Sequence, residues 1–385
     1  MMNILIAPDS FKGSLTSKQY CDICEEAIKS VIPNAKIIKY PLADGGEGTV
    51  EALVLNTKGK IKHTTVQDPL GNPIEAKYGI LGDGKTGVIE MASASGLTLI
   101  PTEKRNPFYT STYGTGQLVL KLLDEGCTHI IMGIGGSATN DGGAGMMEAL
   151  GFELLNDKGE IISRGAKGLL DLHSIDISNR DKRIDNVKFT IACDVTNPLC
   201  GPNGASYVYG LQKGAKESDL PILDKALENF AKVVKKELGV DILNIEGAGA
   251  AGGLGGGLLA FLNAELKRGF DIISEAVGIE KAFQKEKIDL VITGEGQINY
   301  QTVNNKLPVG IAKLAKKYNV PVLAIVGSIG EGYEKVYEFG INSVFSIVDK
   351  PETIDYAINN ADKLLFSTVK NVFSLLKSFE YIRST

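Results

Sequence analysis

Apolar and polar positions follow one pattern at both ends of the chain. The apolar run at residues 3–7 ends in a polar loop, residues 17–32 carry apolar positions at helical spacing, and the theme repeats from residue 35. Near the end, three apolar runs alternate with helices predicted at 308–317, 332–339 and 352–377. This alternation predicts a parallel sheet covered by helices on both faces.

The middle of the chain follows a different pattern. Residues 63–92 predict three strands joined by two turns, and residues 152–162 predict a further hairpin with turn residues at Asn156–Gly159. Longer helices are predicted near 114–125, 218–238 and 254–267. A chain of 385 residues exceeds one ordinary core. We therefore predict an α/β domain formed by residues 1–65 plus 286–385 and a mixed α/β domain, residues 66–285, inserted into it.

Composition excludes several classes of function. A formal charge of −5 gives no basic surplus, so non-specific nucleic-acid binding is disfavoured. No apolar run reaches the ~18 residues of a membrane span, and the N-terminal segment lacks the features of a signal peptide, so we expect a cytoplasmic protein. The odd number of cysteines, five, is typical of reduced thiols. The cysteines and the three histidines do not have the spacing of zinc ligands. Cys21 and Cys24 are expected to pack inside a helix.

Two short motifs match nucleotide-binding patterns. Residues 79–86, "GILGDGKT", satisfy the Walker A pattern, but a strand follows where a phosphate-binding loop needs a helix, so we predict a hairpin turn with a solvated Lys85. Residues 133–138, "GIGGSA", satisfy the dinucleotide fingerprint, with Glu153 at the ribose-binding distance. A nicotinamide or flavin oxidoreductase is therefore an alternative, weakened because the polar loop continues where a Rossmann helix should begin.

Five loops that follow predicted strands combine glycine with acids, amides or lysine. Loops at the carboxyl ends of parallel strands converge on ligands. Backbone N–H groups and lysines bind phosphates, while carboxylates hold Mg²⁺ or accept a proton, so the set predicts phosphoryl transfer. The polar side chains concerned are Asp9, Ser10, Lys12, Asp44, Glu47, Thr49, Ser137, Asn140, Asp141, Asp194, Asn197, Glu295, Gln297 and Gln301.

Glycine is densest in two segments. Residues 133–145, "GIGGSATNDGGAG", hold six glycines, which we predict let backbone amides reach phosphate oxygens without interference from Cβ atoms. Residues 247–257, "GAGAAGGLGGG", lead into a helix and predict either an anion site at its N-terminus or close helix packing. Lys213 lies in another glycine-flanked loop.

The longer motifs resemble those of the bacterial type I glycerate kinase family. They are "APDSFKGSL", "ADGGEGT", "YGTGQL", "GIGGSATNDGGAGM", "ACDVTNPLCGPNGAS", "QKGA", "GAGAAGGLGGGL" and "TGEG", in the family's order. The resemblance implies ATP- and Mg²⁺-dependent phosphorylation of D-glycerate to 2-phosphoglycerate, although some relatives are described as forming the 3-phospho isomer. It also implies two α/β domains, one of them flavodoxin-like and doubly wound, with the active site in the cleft between them. We expect a monomer or homodimer.

Roles for individual residues follow from these motifs and this resemblance. We predict Asp194 as general base, with Lys12 and Asp141 as further catalytic residues. The nucleotide and phosphate contacts are assigned to Gly135, Gly136, Ser137, Asn140, Lys213, Gly294, Glu295 and Gly296. Contacts with glycerate are assigned to Asp9, Ser10, Asp44, Glu47 and Gln301, and Mg²⁺ ligation to Asp44 and Asp194.

The C-terminal motif departs from the family pattern "TGEGRIDxQTxxGKxP". This chain has Gln297, Asn299 and Asn305 where the pattern has arginine, aspartate and glycine. Glutamine cannot supply the charge of an arginine clamp, and asparagine cannot act as a base. A weakly active or binding-only relative is therefore a further alternative.

Overall fold

The computed structural model describes residues 2–303 and 306–384. Its strands, in chain order, are β1 (Asn3–Ile6), β2 (Lys36–Lys39), β3 (Lys60–Gln67), β4 (Pro73–Ile80), β5 (Thr86–Glu90), β6 (His129–Gly133), β7 (Glu153–Leu155), β8 (Ser174–Asp176), β9 (Lys188–Ala192), β10 (Glu265–Lys267), β11 (Leu290–Thr293), β12 (Gln297–Ile298), β13 (Val322–Val326), β14 (Ser328–Ile329) and β15 (Ser343–Ser346).

The α-helices follow the strands through most of the chain. They are α1 (Ser17–Val31), α2 (Thr49–Thr57), α3 (Ala92–Ser95), α4 (Tyr113–Asp124), α5 (Ala144–Ala149), α6 (Ala166–Leu169), α7 (Ala205–Tyr209), α8 (Leu220–Leu238), α9 (Leu254–Leu262), α10 (Gly269–Val277), α11 (Ile279–Lys285), α12 (Leu307–Lys317), α13 (Ile354–Asn359) and α14 (Ala361–Ser384).

The chain divides into two compact units. Unit 1 is Met1–Asp44 with Gly269–Thr385, and unit 2 is Gly45–Arg268. The predicted boundaries at 65 and 285 were placed too late in the chain. Helix α2 packs against β3, β4 and β5 and so belongs to unit 2. Helix α10 packs against α12, where Gly310 leaves room for the Phe270 ring, and so belongs to unit 1.

Unit 1 is built on a five-stranded, fully parallel sheet. The strand order is β2-β1-β11-β13-β15. Counting only this unit's sheet strands, the order is 2-1-3-4-5, the doubly wound order of flavodoxin-like folds, which confirms the predicted fold class. The order reverses between β1 and β11, and ligands of such sheets bind beyond the carboxyl ends of the strands at this switch point.

Helix α1 shows how the pattern of this unit becomes structure. The Thr16 side chain caps the first turn by accepting the N–H of Gln19, and the Gln19 side chain accepts the N–H of Thr16. The buried positions, among them Tyr20, Cys24 and Ile28, recur at helical spacing and pack into the core with α14. The Cys21–Cys24 pair is therefore a packing feature, and burial raises the pKa of both thiols.

Unit 2 is built on a mixed six-stranded sheet of order β10-β9-β6-β5-β4-β3. Strands β5, β6, β9 and β10 are parallel, whereas β3, β4 and β5 form the antiparallel meander predicted from residues 63–92. In the Walker-like stretch, Gly84 has a φ of 70° and the Asp83 carboxylate accepts the N–H groups of Lys85 and Thr86. It is the predicted hairpin turn, and Lys85 is exposed.

Three predicted helices differ from the observed elements. The helix predicted over 254–267 ends at Leu262, because Asn263 takes a left-handed φ of 48° and residues 265–267 pair with β9. The segment at 332–339 is a 3-10 helix, Tyr333–Phe339, and the one at 352–377 breaks at Asn360 into α13 and α14. Through the described ranges, no helix is long and apolar enough to span a membrane.

Candidate active site

The switch point of unit 1 brings two of the predicted loops side by side. β1 pairs with β11, and the N–H of Asp9, beyond β1, donates to the carbonyl of Gly294, beyond β11, at 2.8 Å. The Lys12 Nζ atom lies 3.3 Å from an Asp44 carboxylate oxygen, beyond the neighbouring strand β2. Four predicted site residues thus lie at one edge of one sheet.

Asp9 is the most deeply buried acid of this edge, at 4 % exposure. The N–H of Ser10 donates to its carboxylate at 2.7 Å. Burial raises the pKa of Asp9 well above its usual range, and the nearby Asp44 charge raises it further, while Lys12 and the Ser10 N–H act in the opposite direction. Such a carboxyl favours a nearby cation or a hydroxyl donor.

Lys12 supplies the positive charge. Its side chain is exposed, whereas Asp44 is mostly covered. Partial desolvation works against the Lys12 ammonium, yet the Asp44 and Asp9 carboxylates prevail and raise its pKa. Lys12 is therefore a cation on an acidic edge, placed where a small anion from solvent can reach it.

Glu295 is the second buried acid. It is 5 % exposed, and the Thr302 hydroxyl donates to its Oε1 at 2.6 Å. Burial raises the pKa of Glu295 to about 7, although the Thr302 hydrogen bond and the Lys306 charge hold it down. A carboxyl that titrates near neutrality is suited to accept and return a proton.

The Ser10 hydroxyl adds an unsatisfied group to this cluster. Its Oγ is buried and has no hydrogen-bond partner within the part of the chain that the structure describes. Buried hydroxyls in folded proteins are nearly always bonded, to protein, water or ligand. The cluster of Asp9, Ser10, Lys12, Asp44 and Glu295, called here the acidic cluster, therefore has hydrogen-bonding capacity left for a ligand.

The remaining predicted residues of unit 1 differ in what surrounds them. A Cβ at Gly294 would overlap the Ile325 carbonyl and meet the Tyr20 hydroxyl at 2.8 Å, so this glycine serves packing. A Cβ at Gly296 would come no closer than 3.7 Å to the Lys12 N atom. The direct phosphate contact predicted for Gly294 has no support in this geometry, whereas the backbone of Gly296 passes beside the acidic cluster.

The segment after Glu295 forms a chain of hydrogen-bonded amides. The Gln297 side chain donates to Ser328 Oγ at 3.2 Å, and the Asn299 side chain donates to Gln297 at 3.3 Å. Asn299 Oδ1 accepts the N–H of Gln301 at 2.9 Å. Gln297 and Gln301 are exposed, and Asn305 lies outside the described residues. The two replaced positions thus form a neutral pair in this chain.

In unit 2, the loop after β6 is exposed only at its tip. Gly135 and Gly136 are exposed, while residues 137–147 are buried. The tip is held from both sides, since the N–H of Leu97 donates to the Gly136 carbonyl and that of Ala138 to the Ser95 carbonyl. The backbone N–H groups of Gly135 and Gly136, on this rigidly held tip, are suited to bind an anion.

Most glycines of this loop allow close packing of neighbouring backbone or side chains. A Cβ at Gly133 would overlap the Gly45 carbonyl, and one at Gly142 would meet the Phe230 ring at 2.9 Å. In the facing segment, a Cβ at Gly252 would overlap the Thr139 carbonyl. Close packing is therefore the main reason for the glycines of 247–257, and the phosphate contacts predicted for the tip stay a prediction.

Asp141 organises the loop. It is fully buried, and one carboxylate oxygen accepts the N–H and the hydroxyl of Thr112, both at 2.8 Å, and the N–H of Gly145 at 3.2 Å. The other oxygen accepts the N–H of Gly143. Burial raises its pKa despite these donors. Its oxygens are committed to the loop, so Asp141 holds the loop in shape, and its predicted catalytic role stays a prediction.

Lys213 is buried beneath the same loop. Its Nζ donates to the Thr139 carbonyl at 2.7 Å, and the side chain is 2 % exposed. Burial lowers the pKa of Lys213 to about 7, against the attraction of Asp141. Asn140 is likewise buried and donates to Ser206 Oγ at 3.0 Å. Neither side chain reaches the surface, and both support the loop, while their predicted phosphate contacts stay predictions.

Two buried oxygens beneath the loop lack partners. They are Thr139 Oγ1 and Asn140 Oδ1, for which the described residues offer no hydrogen bond. Ser137 is also buried, in an isolated bridge with Gly96. Glu47 and Asp194 are exposed, Glu47 in the loop before α2 and Asp194 beyond β9.

The stretch that matches the dinucleotide fingerprint does not have the structure of a dinucleotide-binding motif. The loop after β6 leads into the six-residue helix α5, and Glu153 is the first residue of the antiparallel strand β7.

Two residues with possible functions were missed from the sequence. Glu90, the last residue of β5, is 4 % exposed and accepts the N–H of Val50 in the first turn of α2 at 2.9 Å. Thr302 is fully buried against Glu295. An acid that ends a run of five buried strand residues was a signal for Glu90. Thr302 gave none, because its role depends on a turn that only the structure defines.

The described residues contain no group of three or more histidine, cysteine or acidic side chains arranged to hold a metal ion. This does not count against Mg²⁺, which in kinases is bound by one or two carboxylates together with the substrate phosphates. The metal-binding roles of Asp44 and Asp194 stay predictions.

Comparisons with known proteins agree with one another. The profile of the glycerate kinase family matches residues 4–377. A glycerate kinase from Halalkalibacterium halodurans is 51 % identical, over 97 % of each chain. A glycerate 2-kinase from Escherichia coli K12 is 47 % identical, over 97 % of this chain and 98 % of its own. A crystal structure assigned as glycerate kinase 2, from Salmonella typhimurium LT2, matches with a TM-score of 0.89 at 46 % identity, over 99 % of each chain.

Proposed function

The chain belongs to the glycerate kinase family, and on this premise we propose that it transfers the terminal phosphoryl group of ATP to D-glycerate and forms 2-phosphoglycerate. One observation carries the proposal. The acidic cluster combines an accessible lysine, a buried hydroxyl that has no hydrogen-bond partner among the described residues, and three carboxylates at the switch point of a doubly wound sheet. Glycerate offers the complementary groups, a carboxylate and two hydroxyls.

The acidic cluster accounts for recognition of glycerate. The Lys12 ammonium pairs with the glycerate carboxylate, since it is the exposed cation of the cluster. The Asp9 and Asp44 carboxylates then accept hydrogen bonds from the glycerate hydroxyls, and the Ser10 hydroxyl donates to them or accepts from them. Gln301, also predicted to bind glycerate, is exposed near this edge, and Glu47 belongs to unit 2. Lys12 is the residue on which affinity for an anionic substrate depends most.

The exposed tip of the glycine loop accounts for binding of the nucleotide phosphates. Gly135 and Gly136 present backbone N–H groups without a Cβ, and the buried residues behind them keep the tip rigid. When bound, Mg²⁺ would neutralise the charge that develops on the phosphates. Asp44 and Asp194 are the candidates to hold it. This division leaves Ser137, Asn140 and Lys213 as supports.

The acceptor of the hydroxyl proton is the part of the chemistry on which sequence and structure disagree. The sequence favours Asp194, which the structure leaves exposed beyond β9. The structure favours Glu295, which is buried in the acidic cluster. If Asp194 is the base, Asp194→Asn lowers kcat at least ~100-fold, the usual scale of acid–base catalysis. A loss smaller than tenfold removes Asp194 from this role.

Two alternatives lie close to the proposal. Transfer to the other hydroxyl would give 3-phosphoglycerate. A binding-only relative is the second, because Gln297 and Asn299 replace charged residues of the family pattern. The hydrogen-bonded amide pair speaks against a lost site, since the segment stays anchored to Ser328 without those charges. A nicotinamide-dependent oxidoreductase is not supported, since the family is one of kinases and no helix follows the fingerprint directly; the short helix α5 begins only at Ala144.

One coupled assay tests the proposal. The protein is incubated with MgATP and D-glycerate, and enolase is added without phosphoglycerate mutase. Phosphoenolpyruvate absorbance and ADP release should rise together. ADP without phosphoenolpyruvate would indicate the 3-phospho product or another acceptor, which phosphorus NMR distinguishes. No glycerate-dependent ADP would overturn the proposal in favour of a binding-only relative.

A further inference from the structure

Thr302 donates a hydrogen bond to the Glu295 carboxylate. Its Oγ1 accepts the N–H of Asn299 at 3.1 Å and lies 2.6 Å from Glu295 Oε1. A hydroxyl has one proton and two acceptor positions, and the backbone N–H of Asn299 occupies one of these acceptor positions. The Thr302 proton is directed at Glu295 Oε1. Oε1 acts as an acceptor in this arrangement, and any proton that Glu295 takes up goes to Oε2.

The turn that carries Thr302 is itself held in place. The N–H of Thr302 donates to the Asn299 carbonyl at 3.0 Å, and Asn299 Oδ1 accepts the N–H of Gln301. The Asn299 side chain continues through Gln297 to Ser328 on the neighbouring strand β14. Thr302 is fully buried, so its hydroxyl has little freedom to turn away. The residues that depart from the family pattern thus support the donor to Glu295.

The charges that act on Glu295 come from three other segments. Lys12 and Asp44 belong to the loops after β1 and β2, and Lys306 precedes α12. Asp9, in the first of these loops, also senses the Glu295 charge. The two lysines favour the ionised carboxylate, whereas the two aspartates oppose it. Against this mixed background, the hydrogen bond from Thr302 is the directional interaction.

We propose that Glu295 accepts the proton of the glycerate hydroxyl during phosphoryl transfer and that Thr302 is the positioning residue that holds Oε2 ready for it. The inference rests on the proposed function. The hydroxyl O–H bond breaks and its proton moves to Oε2, while the oxygen forms a bond to the γ-phosphorus of ATP. The bond between that phosphorus and the β,γ-bridging oxygen breaks, and its electron pair leaves with ADP.

The test compares Thr302→Val, which keeps the shape but removes the hydroxyl, with Thr302→Ser, which restores it. In the wild type, kcat falls as the pH drops through about 7, because Glu295 becomes protonated. We expect Thr302→Val to move this acid limb up by about one pH unit, the loss of one hydrogen bond to a charged group. At pH 6 the rate falls about tenfold, and at pH 9 it changes little. Thr302→Ser should follow the wild type.

Three results would overturn the proposal. The first is a Thr302→Val variant whose rate falls equally at all pH values with an unmoved acid limb, which is the behaviour of a merely structural residue. The second is a Thr302→Val profile identical to that of the wild type. The third is a Glu295→Gln variant that keeps more than a tenth of the wild-type kcat at its optimum, since loss of a general base costs at least ~100-fold.

A measurement without substrate separates this inference from the proposed function. Carboxyl ¹³C resonances of labelled glutamate, assigned with Glu295→Gln, give the pKa of Glu295 directly in wild type and Thr302→Val. If the wild type releases no glycerate-dependent ADP but its Glu295 pKa still shifts upward in Thr302→Val, the substrate assignment has failed and the positioning role stands. An unmoved pKa rejects the role of Thr302 whatever the substrate.

Discussion

The loop after β11 and the loop after β6 both follow parallel strands and both contain glycine, yet they work differently. In unit 1, the acidic cluster keeps titratable groups close to one another, and burial raises the pKa of Asp9 and Glu295. In unit 2, the loop uses its acid, amide and nearby lysine to hold itself and offers only the backbone of Gly135 and Gly136. Reactive side chains are thus concentrated in one unit and a rigid backbone surface in the other.

The number of glycines in a loop does not by itself identify a ligand-binding loop in this protein. Glycines in the loop after β6 approach backbone carbonyls and side chains that a Cβ would overlap, so their number reflects packing. Acids near a strand end, by contrast, carry a desolvation cost that packing does not explain. Shifted pKa values in the acidic cluster are therefore the better indication of chemistry.

The largest effect is expected from a glycine that serves packing. Gly252→Ala places a Cβ against the Thr139 carbonyl at a φ of 70°, so strain and overlap add. We expect a loss of more than ~3 kcal/mol in the free energy of unfolding, or no folded protein. Gly135→Ala is the matched control, because its Cβ would meet only Gly46 Cα at 3.4 Å. It should cost under ~1 kcal/mol in urea denaturation. Equal costs would contradict the distinction between packing and tip glycines.

The next effect concerns the acidic cluster. Lys12→Met should lower kcat/KM for glycerate by about 100-fold, mainly through KM, because the cation that receives the substrate carboxylate is lost. Stability should change little, since the Lys12 side of the ion pair is exposed to solvent and surface ion pairs contribute ~0.2–1 kcal/mol. The control is Lys18→Met, which removes an exposed lysine paired with Asp22 on α1. Steady-state kinetics in glycerate measure both, and a loss below fivefold for Lys12→Met would move the carboxylate site elsewhere.

A pH-dependent effect is expected from the support beneath the glycine loop. Burial lowers the pKa of Lys213 to about 7 in the folded protein, whereas the unfolded value is near 10.5. Between these values the unfolded chain binds the extra proton, so rising pH stabilises the wild type. The free energy of unfolding of wild type minus that of Lys213→Met should therefore increase from pH 7 to pH 10.

Denaturant titrations at pH 7, 8, 9 and 10 measure this difference. Lys121→Met, which removes an exposed lysine of α4, serves as control and should keep a constant difference from the wild type. A constant difference for Lys213→Met as well would mean that Lys213 keeps its proton in the fold. In that case the Thr139 carbonyl is held by a charged donor throughout the range.

Sequence patterns predicted the parts of the fold that depend on local periodicity. The parallel strands of unit 1, the meander of β3, β4 and β5 and the hairpin at Lys85 are all confirmed. The end of α9 was missed because residues 265–267 gain a partner in β9, which no local pattern announces. The unit boundaries were misplaced for the same reason, since the packing of α2 and α10 decides them.

The candidate site was predictable in its residue types and less so in its roles. Asp9, Lys12, Asp44 and Glu295 were all proposed from motifs, and the structure brings them to one sheet edge. Burial is what the sequence could not supply. It makes Asp141 and Lys213 internal supports of the loop after β6, and it holds Thr302 against Glu295. Burial depends on residues distant in the chain, such as Thr112 for Asp141.

The interior position of β1 in its sheet, between β2 and β11, has a consequence for biosynthesis. Ile4 pairs with Ile37 on one side but with Leu290 on the other, so β1 leaves the ribosome long before half of its hydrogen-bond partners exist. At ~5–20 residues per second, that interval is on the order of 15–60 s. Gly45–Arg268 forms its own sheet and can fold during this interval. Until β11 is synthesised, the nascent chain exposes an apolar strand edge, and an unpaired edge of this kind can pair with other chains and lead to aggregation.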